Sequence, residues 1–160
     1  MNNGWPWENH NPLTQLSKGV ALFERASHVA ASWRPGALSL LIDVLSANGQ
    51  EEIPNVDSYY SEFVAVDQRI DEFKSRLTPV VGSAPDPSAQ AVHLAHCLSN
   101  GATIQLHATF CLQNTASRAK CLSAAMAIVR ANQAAPAHER VYTSPILGVR
   151  ISCVTYDRAF

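Results

Sequence analysis

Residues 88–133 carry no Asp or Glu, and their only charged side chains are Arg118, Lys120 and Arg130. A stretch this long and this poor in charge cannot present a solvated face along its whole length, so it must lie buried on most sides. It reads as two helices, Ala89 to about Phe110 and Thr115 to about Gln133, joined by a short polar turn. These two are expected to form a central antiparallel pair that the rest of the chain wraps.

The segments ahead of this pair supply the wrapping. From Leu13 to Trp33, the residues Leu16, Val20, Phe23, Ala26 or Ser27, Ala30 and Trp33 recur every three or four positions, which is the spacing of one helix face. Thr14 is its expected N-cap, and Pro35 ends it by disfavouring α geometry at Arg34. Residues 37–50 read as a shorter helix with Leu38, Leu41, Ile42 and Leu45 on its apolar side and Asn48-Gly49 as its stop. Asp57 is expected to cap a third helix over 58–77, with Tyr59, Phe63, Val66, Ile70, Phe73 and Leu77 as its stripe. Residues 43–72 hold eight acids against one Arg, which reads as a solvated acidic face. Residues 78–88, with three Pro and a Gly, form a linker. In residues 141–160, Ser144-Pro145 opens a helix while Val141, Val149, Ile151, Val154 and Tyr156 favour strand locally; helix is the expectation. The fold class is therefore all-α: an irregular multi-helix bundle of about five to six helices. Residues 1–12 are irregular, 13–149 form the helical domain and 150–160 are a divergent tail.

The totals narrow the function classes. At 160 residues the chain suits one domain. The net charge of −1 lacks the basic excess of a nucleic-acid binder, so no direct nucleic-acid contact is expected. The longest uncharged run, 87–117, contains three His, two Asn and three Gln; that is too polar for a lipid-facing span. The first residues lack the basic and apolar regions of a signal peptide. The four cysteines, Cys97, Cys111, Cys121 and Cys153, include no Cys-x-x-Cys pair, so free thiols in a reducing compartment are expected.

The stretch "AVHLAHCLSNGATIQLH" (91–107) is the one candidate site. His93, His96, Cys97, Asn100, Ile104, His107 and, beyond it, Cys111 fall within about 100° of one another on a helical wheel. They cannot form one metal site, because His93 and His107 lie about 21 Å apart along a helix axis and a zinc ion holds its ligands within about 2.3 Å. Two half-sites remain, His93 with Cys97 and His107 with Cys111, each needing further ligands from Cys121, Cys153, His28 or His138. Helix–helix packing is the competing reading. No Gly-x-Ser-x-Gly elbow, phosphate-binding Gly loop or dinucleotide fingerprint is present. A helical enzyme would have to assemble its site in space, with His93, His96 and His107 converging on a carboxylate.

The same stretch carries a resemblance. "HLAHCLSNGATIQLHATF" followed by "ASRAKCLSAAMAIVRA" resembles the middle-homology regulatory domain of fungal transcription factors of the zinc binuclear cluster family. The matching positions are His96, Ala102, Ile104, Leu106, His107, Ser117, Arg118, Lys120, Cys121, Ala124, Ala125, Ile128 and Val129. "LTQLSKGVALFERASHVAASW" is similar to the family's upstream helix. "EFVAVDQRIDEFKSRLTPV" is similar to its helix with Phe-x-x-x-Asp-x-x-Ile-x-x-Phe and a closing Leu-Pro-Pro, except that Thr78 replaces the first Pro. "WPWE" and "SPILGV" match flanking segments, so the likeness runs in order through residues 5–149.

The resemblance implies a non-catalytic regulatory domain, all-helical and nuclear, of which this chain is a C-terminal portion. The family's six-cysteine zinc cluster lies outside this sequence, so zinc and DNA binding belong at family level only and no cofactor is expected in this chain. Expected partners are the rest of the parent factor or other transcription proteins. Self-association is expected where absent helices would leave apolar surface exposed. Catalytic residues are expected to be none, with His93, Cys97, His107 and Cys111 as the metal candidates to be weighed.

Overall fold

The fold is seen in a computed structural model that describes residues 11–33, 56–79 and 87–134. The described part is all-α. Four helices follow in order: α1 (Pro12–Ser32), α2 (Val56–Arg76), α3 (Pro87–His107) and α4 (Thr115–Ala134). A single 3-10 turn, Ala108–Phe110, links α3 to α4. The expected helix at 37–50, the tail at 141–160, Trp5, Trp7, His138 and Cys153 lie outside the described residues.

The helix ends follow their capping chemistry. Asn11, not Thr14, caps α1: its Oδ1 accepts from the Leu13 amide at 3.0 Å, with Pro12 in the first turn. Proline has no N–H to satisfy there, so the start shifts upstream of the expected cap. Asp57 lies in the first turn of α2. There it faces the positive end of the helix dipole without being the cap. Asn114 caps α4 through Oδ1, which accepts from the Ala116 and Ser117 amides at 2.9 and 3.1 Å.

Cross-helix contacts fix the directions. Gly19 meets Ala95, and Ser27 meets Gln105, so α1 and α3 run parallel. Gln15 reaches Thr78 beyond the end of α2, so α2 runs antiparallel to α1. His107 meets Ser117, and His93 meets Asn132, so α4 runs antiparallel to α3.

α3 is the centre. From Ala91 to His107 nearly every residue is buried, as the missing charge demanded. α4 is not its equal partner: only Ser117, Cys121, Ala124, Ala125 and Ile128 are buried there. The expected central pair is thus one central helix with α1 and α4 on separate sides, α1 being the more extensive neighbour. Small residues explain this. The buried stripe of α1 is Gln15, Gly19, Ala26 and Val29 with Leu22 partly buried; Ala26 is buried as expected, but the other positions lie one back from the predicted stripe, and Val20 is left 48% exposed. Gly19 and Ala26 let the two backbones approach, and close packing outweighs the burial of Val20.

A Cβ placed on Gly19 would meet Ala95 and Leu98 at 3.5 Å, an ordinary contact distance. Gly19→Ala is therefore expected to raise stability by about 0.5–1 kcal/mol, the helix-interior cost of glycine. Gly19→Leu is expected to lower it by driving α1 from α3. Urea midpoints of the two variants check the pair.

The α2 stripe matches its prediction. Val66, Ile70, Phe73 and Leu77 are buried. Val66 and Ile70 join Ala26, Val29, Ala102 and Leu106 in the main core, with Tyr59 and Phe63 packed against it. A second core, Cys97, Ile104, Ala124, Ala125 and Ile128, joins α3 to α4. At one end Trp33, Tyr59, Phe63 and Phe110 gather, with Trp33 centred 4.7 Å from Tyr59 and 5.1 Å from Phe110. The outer side of α4 leaves Met126 59% and Val129 45% exposed, the kind of apolar surface the self-association expectation concerns.

Candidate functional site

The acidic face of α2 is not wholly solvated. Asp67 follows Val66 and lies one turn beyond Phe63, at the margin of the apolar stripe, and its side chain is 20% exposed. Opposite it, α3 ends on His107, which is 4% exposed, and α4 presents Ser117 and Lys120 from its first turns. These four side chains form one network across three helices.

Its geometry is direct. His107 Nε2 lies 3.0 Å from Asp67 Oδ1, and His107 Nδ1 lies 3.1 Å from the Ser117 hydroxyl. Lys120 Nζ donates to both Asp67 oxygens, at 2.7 and 2.6 Å, and to Asp71 Oδ2 at 2.9 Å. The edge of the imidazole meets Phe63, with ring centroids 5.0 Å apart. An ionised carboxylate only accepts, so Nε2 carries its hydrogen. The hydroxyl on the other side can give or take a hydrogen bond, so the ring is satisfied in either charge state.

The electrostatics favour ionised Asp67. Burial opposes its charge, but the hydrogen bonds from His107 and Lys120 outweigh burial and hold the carboxyl below its ordinary value. Burial likewise opposes the charge on Lys120, and its bonds to Asp67 and Asp71 outweigh that and raise it. Nearby Lys74, whose Nζ lies 3.4 Å from Thr103 Oγ1, is lowered chiefly by its own burial. A carboxyl with a lowered native pKa adds stability that is complete above its unfolded value and lost as pH falls through the native one. Acid titration below about pH 4 is therefore expected to unfold the chain more steeply than an Asp67→Asn variant. The Lys120 contribution has the opposite sense: it is present below the unfolded lysine value and is lost as pH rises through the raised one.

Serine, histidine and aspartate in hydrogen-bonded order are the residue types of a hydrolase triad. Here, however, Ser117 is 5% exposed, and Lys120 occupies both oxygens of the carboxylate. A nucleophile needs a carbonyl within reach and a base free to take its proton. This hydroxyl instead faces a ring sealed between helices.

The stripe residues separate as follows. His93 Nε2 lies 3.0 Å from Asn132 Oδ1 and 3.7 Å from Cys97 Sγ, so this half-site closes on α4 with an amide. Burial pushes the Cys97 thiol up to about 11. His96 donates to the Thr78 carbonyl at 2.8 Å, and Gln15 donates to the Thr78 hydroxyl. Thr78 is thus a polar joint between α1 and α3. His107 and Cys111 meet through the thiol and the His107 carbonyl, at 3.4 Å. The structure brings Cys111 to Cys121, with sulfurs 3.1 Å apart. Ile104 packs toward α4 and Leu106 toward α1 and α2. Arg118 is exposed, and so is His28. Among the described residues, no group of three or more His, Cys, Asp or Glu is placed to hold a metal ion, and no helix is long and apolar enough to cross a membrane.

The sequence places His107, Ser117 and Lys120 in a pattern but does not show Asp67 as the partner that His107 and Lys120 share. The available signal was its place beside the stripe, within a turn of Phe63, Val66 and Ile70. The chain matches no family model, no curated protein and no solved structure.

Proposed function

We propose that this chain is a non-catalytic regulatory portion of a fungal transcription factor, working through contacts with the rest of that factor or with other transcription proteins in the nucleus. The observation that supports it is the convergence of the resemblance's own positions. Asp67 comes from the Phe-x-x-x-Asp-x-x-Ile helix, His107 from the Leu-His end of α3, and Ser117 and Lys120 from the Ser-Arg-x-Lys-Cys segment; all four join one network. Residues that looked unrelated along the sequence share one physical task, as a family pattern requires of a fold-defining lock. DNA contact is assigned to a module outside these residues, and no cofactor is assigned to them.

The test is a reporter assay in yeast, with the chain fused between a heterologous DNA-binding module and an activation domain. Regulation predicts reduced output that Asp67→Ala relieves at equal protein level. Output equal to that of the fusion lacking the chain would overturn the proposal.

The alternative is a helical metal- or ligand-binding domain, and the observation favouring it is the His93–Cys97 contact at 3.7 Å. Elemental analysis of the purified chain separates the two. The regulatory proposal expects no zinc or iron after chelation, and stoichiometric metal that resists chelation would favour the alternative.

A further inference from the structure

Cys111 and Cys121 come from different elements. Cys111 follows the 3-10 turn that ends α3, and Cys121 lies in the second turn of α4. Their sulfurs are 3.1 Å apart. A disulfide requires about 2.05 Å, so closure needs a shift of about 1 Å. The connector can supply that shift, because Cys111 lies outside regular helix and is only half-buried, while Cys121 is fully buried on α4. From this geometry we infer that Cys111 and Cys121 form a reversible dithiol–disulfide site, oxidised by low-molecular-weight disulfides of the glutathione type.

The chemistry divides by exposure. The Cys111 thiolate attacks one sulfur of the small disulfide, forming a mixed disulfide and releasing one small thiolate. Cys121 then attacks the Cys111 sulfur. That breaks the mixed disulfide, forms the Cys111–Cys121 bond and releases the second small thiolate, which takes the Cys121 proton. Two protein thiols are oxidised, and one small disulfide is reduced to two thiols. Burial pushes the Cys121 thiol up, which leaves the first attack to half-buried Cys111; the second, intramolecular step rests on the 3.1 Å separation of the two sulfurs. Cys97 is excluded by place: it is 0% exposed and sits against His93 and Asn132 on the α3–α4 contact. The closed ring spans the turn and the start of α4, so oxidation pins the connector that carries Phe110 into the aromatic cluster. This inference stands on the sulfur geometry and does not depend on the regulatory proposal.

The test treats the whole native chain with graded ratios of oxidised to reduced glutathione, followed by acid quenching, alkylation and peptide mapping without reduction. The expected first product is an intramolecular Cys111–Cys121 cross-link, lighter by two hydrogens, restored by dithiothreitol and accompanied by a higher melting temperature. Cys121→Ala is expected to stop at a glutathione adduct on Cys111. In the unchanged chain, a lasting adduct on Cys111, a first cross-link to Cys97 or Cys153, or no oxidation without denaturant would each overturn the inference. The map of the unchanged chain decides even if Cys121→Ala does not fold.

Discussion

Asp67→Ala is expected to destabilise the chain by about 2–3 kcal/mol in urea unfolding. The substitution removes few atoms, so lost packing is a minor part of this. The larger part comes from the groups left behind. His107, 4% exposed, would keep an Nε2–H with no acceptor at its former partner's position, and a stranded buried donor costs its full desolvation. Lys120 would retain Asp71 as a partner and more than a third of its surface in water. Its share is therefore small, and the total falls below that of a wholly buried pair. Asp67→Asn keeps an acceptor for His107 and is expected to cost less than Asp67→Ala. An equal loss in the two variants would show that the charge facing Lys120, and not the ring's hydrogen bond, is what Asp67 serves.

Leu106→Ala is expected to cost about 3–5 kcal/mol, the upper part of the range for such truncations. Leu106 is 0% exposed where α1, α2 and α3 meet, beside Ala26, Val29, Val66, Ile70 and Ala102. Two of these neighbours are alanines with nothing to extend into the gap, so the site cannot collapse and the cavity persists. Ile104, two residues away, faces the α3–α4 core. A loss at Leu106 no larger than at exposed Val20 would contradict the central placement of α3. Calorimetric or urea unfolding of the two variants makes the comparison.

The helical class was legible because its signals are local. The stripe on α2 is built from large residues at regular spacing, and Val66, Ile70, Phe73 and Leu77 are all buried as expected. The missing charge in 88–133 announced the burial of α3 before any contact was known. What was not legible depended on size and distance. Hydropathy chose Leu16 and Val20 for the inner face of α1, whereas close helix approach selects Gly19 because it is small. Likewise, a wheel could show His93, Cys97 and His107 sharing a face, but it could not name their partners. Asn132, Ser117 and Asp67 arrive from 39, 10 and 40 residues away. Asp67 looked like one more solvated acid because seven others surround it in sequence. Only the position of α4 shows that the Lys120 amine lies over it.

Asp67, His107, Ser117 and Lys120, from three separate sequence segments, act as one unit. A double-mutant cycle on Asp67→Ala and His107→Ala measures it directly. If the two side chains work through each other, the paired variant loses less stability than the sum of the single variants, by at least about 1 kcal/mol. Additive losses, within about 0.3–0.5 kcal/mol, would contradict the account.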